Sequence, residues 1–221
     1  VGPPVIENEI QVLLQKNGLI AVNKPFGISV HNNEDPSNLL ILLEKQLGIA
    51  KLYPIHRLDK ETSGIQLFGE NDVVARELSM QFQQKTVKKI YTGVLQGVLA
   101  AKAGAWRAPL TDKSEGRKNP AGLSAARVHC ETKFTVLSAS GYFTLCDFDL
   151  ITGRQHQIRK HTALVKHCLV GDPRYGDPKY NKRIASIYKT ERMFLHCREL
   201  HIAGEKIEAA VPKEFSALFA N

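Results

Sequence analysis

Three polar clusters interrupt otherwise apolar stretches of this 221-residue chain, and each holds residue types that can do chemistry. The first is His56-Arg57-Leu58-Asp59-Lys60-Glu61-Thr62-Ser63-Gly64. Arg57 and Asp59, two apart on an extended segment, share a face. An ionised carboxylate there can serve as nucleophile or general base, or it can be half of an ordinary ion pair beside a turn. The second is Thr152-Gly153-Arg154-Gln155-His156-Gln157-Ile158-Arg159-Lys160-His161, which reads as the entry to a basic helix that could hold phosphates or simply present a solvated cationic face. The third, Leu169-Val170-Gly171-Asp172-Pro173-Arg174-Tyr175-Gly176-Asp177, has the punctuation of a tight turn after a buried segment.

The intervening sequence must position these clusters. Leu19–Val22 reads as a strand entering a turn at Asn23-Lys24-Pro25-Phe26-Gly27. Ser37 is a candidate cap for an amphipathic helix with Leu39, Leu40, Leu43 and Leu47 on one side and Gly48 as its stop. Gly64–Phe68 reads as a strand, and Asn71 or Asp72 caps a helix running to about Lys85, with Val74, Leu78 and Phe82 inward. Strands are expected over Ile90–Leu99, Ala126–Leu137 and Tyr142–Leu150, with a polar loop of roughly Asp112–Ser124 as a candidate ligand-contacting flap. Arg154–Lys166 has helical spacing with a basic face opposite Ile158 and Leu164. Met193–Ile202 reads as the last strand, and Pro212 opens a C-terminal helix ending near Phe219. Helices and strands that do not alternate regularly favour an α+β domain over a parallel stack.

Charge narrows the class of partner. The formal net charge is +8, and ten Lys or Arg against three carboxylates between Ile151 and Arg192 account for seven of it. So concentrated an excess suits a polyanion. The scattered Cys130, Cys146, Cys168 and Cys197 have no zinc-ligand spacing and read as reduced packing thiols. His156 and His161, five apart, would point roughly 140° from each other on a helix, which argues against a zinc hydrolase. No G-x-S-x-G elbow, P-loop or dinucleotide fingerprint is present. Asp59 with Glu61 on one short segment makes a poor pair of glycosidase carboxylates. Val1-Gly2-Pro3-Pro4 opens no signal-peptide pattern and the longest apolar run, Leu39–Leu43, is too short to span a bilayer, so a cytoplasmic protein without membrane association is expected.

In order and spacing the clusters resemble the RluA-type pseudouridine synthases. Asn23–Gly27 matches that family's early N-K-P-x-G, His56–Gly64 its H-R-L-D-x-x-T-S-G, Lys89-Ile90-Tyr91 its K-x-Y, Thr152–His161 its T-G-R-x-H-Q-I-R-x-H, and Gly171–Gly176 its G-D-x-x-Y-G. The resemblance implies a single catalytic domain over residues 1–221; no S4-like module is recognisable in the sequence, a departure from the S4-bearing members of the family. Its fold would be a mixed, mainly antiparallel sheet with flanking helices and a central catalytic cleft. It implies isomerisation of uridine in structured RNA, with neither cofactor nor metal; a monomer is the default expectation. Gly176–Asn181 and the stretch ending at His167 look more like the branch that modifies the tRNA acceptor-stem region, which favours tRNA over rRNA.

By the same resemblance Asp59 takes the place of the catalytic aspartate, Tyr91 that of the tyrosine stacked near the target base, and Arg159 that of the arginine paired with the aspartate. Arg57 matches a residue that fills the gap left by the extruded nucleotide. His56, Thr62, Arg154, His156 and Lys160 lie in the substrate-facing motifs, while Ile158 and Leu169 or Val170 supply an apolar pocket wall. The reaction breaks the C1′–N1 bond, turns the uracil, joins C1′ to C5 and removes the C5 proton. No redox step is needed, a carboxylate can start it either as nucleophile or as base, and the target base must leave its stack. A noncatalytic RNA-binding protein on the same fold is the alternative, and it would gain nothing from a carboxylate facing phosphate.

Overall fold

The computed structural model describes residues 9–31, 37–113, 115–124 and 126–220. In chain order its elements are β1 (Val12–Lys16), β2 (Leu19–Lys24), α1 (Leu39–Leu47), β3 (Tyr53–Pro54), β4 (Ser63–Gly69), α2 (Asp72–Gln83), β5 (Lys88–Gln96), β6 (Ala103–Trp106), β7 (Thr132–Ala139), β8 (Phe143–Leu150), α3 (Gln157–Leu164), α4 (Pro178–Tyr188), β9 (Leu195–Ile202), β10 (Glu205–Glu208) and α5 (Glu214–Ala217). They divide into two compact units, Val1–Lys88 with His196–Ala210, and Lys89–Leu195 with Val211–Asn221.

In the first unit β2 pairs antiparallel with β1 and β4, and β3 adds to β4. β4 then runs parallel to β9, which turns back through β10. The apolar runs of β2 and β4 are buried along almost their whole length. Asn38, rather than the expected Ser37, caps α1 by accepting from Ile41 N, and Gly48 ends it in the left-handed conformation. Asn71 caps α2 through Val74 N, and Ala75 and Leu78 are its buried residues. Gly64 opens β4 at φ +108, where a Cβ would collide with the Cys197 backbone across the parallel pair, so no other residue fits this point of the first cluster.

In the second unit β8 lies between β5 and β7, and β6 extends the antiparallel order beyond β7. Its apolar cluster gathers Val94, Phe143, Val170, Ile184, Phe194, Phe215 and Leu218, with Tyr180 and Tyr188 packed alongside. Both units are α+β, with mainly antiparallel pairing, as the order of elements led one to expect.

Several details depart from the sequence reading. Ala126–Leu137 becomes a strand only from Thr132, the earlier part forming an isolated bridge between Val128 and Leu110. β1, β3, β6, β10 and α4 were not anticipated, and because β10 follows, Met193–Ile202 does not hold the last strand. The basic helix is shorter than its periodicity: His156 at φ 55 and Lys166 at φ 63 take left-handed conformations that bound α3. Its expected cationic face is also missing, since Arg159, Lys160 and His161 are all buried. Among the described residues no helix is long and apolar enough to cross a membrane.

Candidate functional site

The expected site residues fall in both units: His56, Arg57, Asp59 and Thr62 in the first; Tyr91, Arg154, His156, Ile158, Arg159, Lys160 and Val170 in the second.

Asp59 sits half-buried on a turn that precedes β4. Thr62 N donates to Asp59 O at 3.1 Å and closes the turn, and the Thr62 side chain is buried. The next carbonyl, Lys60 O, is held twice from the N-K-P-x-G loop, by Gly27 N at 2.8 Å and Lys24 Nζ at 3.2 Å. Lys24 is fully buried, and its ammonium also donates to Pro25 O at 2.9 Å and Ile28 O at 2.8 Å. A buried ammonium needs such acceptors to offset its lost hydration. Here they include the main chain on both sides of the clamp, so the loop and the Asp59 turn are fixed together.

The other flank of the turn hangs on Gln66. Its Oε1 accepts from Leu58 N at 3.1 Å, and its Nε2 donates to His56 O at 2.6 Å and Leu67 O at 3.1 Å. His56 Nε2 accepts from Leu67 N at 3.2 Å, and the ring stacks on Phe82 with centroids 4.8 Å apart. The structure thus uses His56 as part of the turn's frame. Arg57, on the neighbouring residue, is exposed.

In the second unit the Thr152–His161 cluster is organised by Gln157, the first residue of α3. Its Oε1 accepts from Thr152 Oγ1 at 2.7 Å and Arg154 N at 3.1 Å, and its Nε2 donates to Glu131 O at 3.0 Å and Thr132 Oγ1 at 2.9 Å. All four hydrogen-bonding positions of the amide are used. Lys160 Nζ donates to Thr111 O at 2.6 Å, and the His161 ring bridges Thr132 Oγ1 at 2.9 Å and Ala108 O at 3.0 Å. Burial pushes the His161 pKa down, and the Lys160 charge adds to this against the hydrogen bond to Ala108, so the ring is neutral near pH 7. Arg154 is exposed and reaches Asp112 at 3.1 Å.

Arg159 is 2% exposed and lies in a fork with the fully buried Asp172, Nε to Oδ2 at 2.8 Å and Nη2 to Oδ1 at 2.9 Å. Asp172 Oδ1 also accepts from Arg174 N at 2.9 Å and Tyr175 N at 3.0 Å. Tyr175 lies under the guanidinium, 5.5 Å from ring centroid to Cζ, and its hydroxyl meets His156 Nδ1 at 3.1 Å. The G-D-x-x-Y-G cluster is therefore a cradle that sets the direction of Arg159 and His156. Gly171 lets the cradle form: at φ +76, a Cβ there would strike Arg192 O. Val170, expected on a pocket wall, is fully buried in the apolar cluster, and Ile158 is buried in the first turn of α3. Tyr91 is buried in β5 opposite Phe148 of β8.

Five residues that organise these groups, Lys24, Gln66, Gln157, Asp172 and Tyr175, had no assigned role in the sequence reading. All lie inside or next to the recognised clusters. For Lys24, Gln66 and Asp172 the signal was an amide or charged residue within a segment that is otherwise apolar or turn-forming; Tyr175 and Gln157, the latter set among other polar residues, carried no such mark.

The sequence pattern of the RNA pseudouridylate synthase family matches residues 18–164. Among similar proteins, tRNA pseudouridine synthase C of Haemophilus ducreyi is 32% identical over 96% of this chain and 95% of its own. Ribosomal large subunit pseudouridine synthase C of Vibrio cholerae is 34% identical over 95% of this chain and 68% of its own. The structure of human RNA pseudouridylate synthase domain containing 4 superposes with a TM-score of 0.76, at 24% identity, over 93% of this chain and 90% of that one, a likeness of fold. The chain belongs to the RNA pseudouridylate synthase family and is an isomerase that acts on uridine in RNA.

Proposed function

We propose that this enzyme converts uridine to pseudouridine in tRNA, with Asp59 as the group that starts the reaction. The observation that carries the assignment is the construction of the Asp59 turn. Lys24, Gly27, Thr62 and Gln66 fix the main chain immediately around a half-buried carboxylate, an investment an incidental surface aspartate does not need. The Asp59 carboxylate attacks the anomeric carbon or removes a ribose proton. Either route lets the C1′–N1 bond break and the uracil reattach through C5.

Tyr91 and Arg159 serve the same reaction. The tyrosine ring offers a face for the base, and the guanidinium, preset by Asp172, favours negative charge where it develops. Arg57 fills the space vacated by the flipped nucleotide, and Arg154 and His156 engage substrate. The residues Gly176–Asn181, together with the match to the tRNA enzyme of Haemophilus ducreyi along most of both chains, support tRNA. The protein works as a cytoplasmic monomer and needs no cofactor.

Mapping pseudouridine by carbodiimide-stop sequencing, in a strain lacking the gene and complemented with wild type or Asp59→Asn, tests this reading. One or more tRNA positions should regain the modification with wild type alone. Restoration confined to ribosomal RNA would overturn the tRNA assignment, and restoration by Asp59→Asn would overturn the role of Asp59.

A further inference from the structure

The concentrated positive charge between Ile151 and Arg192 does not lie where its periodicity placed it. Of its ten cations Arg159, Lys160 and Arg192 are buried. Among the exposed ones Lys179, Lys182 and Arg183 fall on α4, and Lys189 follows at its end. Helical spacing sets Lys182 and Arg183, three and four residues on, at either side of Lys179, each about 5–6 Å from it at Cβ. The opposite face, Tyr180, Ile184 and Tyr188, packs on the apolar cluster, so the helix is firmly seated with its cations outward. Asp177 caps it by accepting from Lys179 N and Tyr180 N, and pairs with Arg117, which brings the 115–124 loop with exposed Lys118 to the start of α4.

This arrangement does not serve the stability of α4. Cations in the first turns oppose the helix dipole, and Lys179 and Arg183, four apart, repel each other. The helix contains no acidic residue, and among the described residues none of its three cations forms an ion pair. A bound polyanion relieves both costs. Eleven residues give a helix on the order of 16 Å long, enough to face several phosphates.

We propose that the outward face of α4, Lys179, Lys182 and Arg183, is a docking surface for the phosphate backbone of the RNA substrate, apart from the catalytic clusters. The proposal rests on the reading of the chain as an RNA isomerase. Its contribution is affinity and placement of the RNA rather than chemistry, because Lys179, Lys182 and Arg183 point outward, whereas α4 meets the Arg159 cradle through a different residue, Asn181, whose side chain bonds Gly171 N and Asp172 O.

The test compares wild type with Lys179→Gln/Lys182→Gln/Arg183→Gln and with Lys45→Gln/Lys102→Gln/Lys133→Gln, a triple substitution of exposed lysines elsewhere that removes equal charge. Binding of total tRNA and of ribosomal RNA is measured across a salt series, and single-turnover tritium release from the same RNA labelled at uracil C5 is followed at saturating protein. The α4 variant should bind on the order of tenfold or more weakly at moderate salt, with a log–log salt slope shallower by about two to three, since each lost phosphate contact removes about 0.7–0.9. Its saturated single-turnover rate should match wild type, and the control variant should keep the wild-type slope. Unchanged affinity and slope in the α4 variant, or an equal loss in the control, would overturn the proposal. If wild type binds RNA but releases no tritium from either pool, the isomerase reading fails, while the α4 surface still stands or falls on the salt slopes.

Discussion

The two units each bury a cation beside residues expected to do chemistry, and they use it in opposite ways. In the first, Lys24 is the organiser: its ammonium gathers Pro25, Ile28 and Lys60 carbonyls and so fixes the main chain that carries Asp59. In the second, Arg159 is the organised group, gripped by a buried carboxylate that is itself held by two main-chain amides. Lysine suits the first task because its three donors can diverge toward separate carbonyls, and arginine suits the second because its planar fork matches a carboxylate in one orientation. A lysine shapes backbone here and a carboxylate aims a side chain.

The largest effect should come from the aimed pair. Asp172→Ala leaves the Arg159 fork and two turn amides without their acceptor, and should cost about 3–5 kcal/mol in urea unfolding. The milder Asp172→Asn keeps the shape and one acceptor. It should fold, retain RNA affinity within about threefold, and lose on the order of 10²-fold in single-turnover rate through misdirection of Arg159. A rate near wild type in Asp172→Asn would break the claim that the cradle positions the guanidinium.

Lys24→Met removes donors from three carbonyls while preserving most of the volume. It should cost about 2–3 kcal/mol of stability. Hydrogen exchange should show the loosening at Gly27 and Thr62, the amides that hold the turn. Unaltered protection at both would deny Lys24 its role.

A smaller effect separates the units by pH. Because the folded-state pKa of His161 lies below its ordinary value, the unfolded chain binds more protons as pH falls below about 6.5. Its contribution to stability is therefore intact above that pH and is lost progressively from there down toward the depressed folded value. Thermal unfolding between pH 7.5 and 5.5 should register this loss, and His161→Gln should flatten that part of the profile. An identical pH dependence in both proteins would contradict the account of the buried ring. The Cys146 thiol, pushed to about 12 by burial and the neighbouring Asp147 charge, should resist alkylation in the native protein at pH 8, and ready labelling would show the β5–β8 packing to be looser than described.

The apolar runs of β2, β4 and β8 and the caps at Asn71 and Gly48 were plain in the sequence, because local propensity and burial agree there. β6, Ala-Gly-Ala-Trp, and β1, which ends in Gln15 and Lys16, carry little β signal of their own and are strands by virtue of their partners. α4 was legible in principle: Asp177 as cap and Pro178 at the first position form a start signal, but Asp177 also closes a cluster with the look of a tight turn. The motifs that carry the family resemblance singled out Asp59, Tyr91 and Arg159 as candidates. The burial of Arg159 and Lys160 could not be read from periodicity, because what receives them is Asp172 and Thr111, supplied by loops remote in sequence.

The central claim is that the fixed carboxylate of Asp59 performs the isomerisation. Tritium release from RNA labelled at uracil C5, with purified wild type and Asp59→Asn matched for RNA binding, measures it directly. The account predicts release by wild type and none above background by the variant. Release by Asp59→Asn at a comparable rate would contradict it.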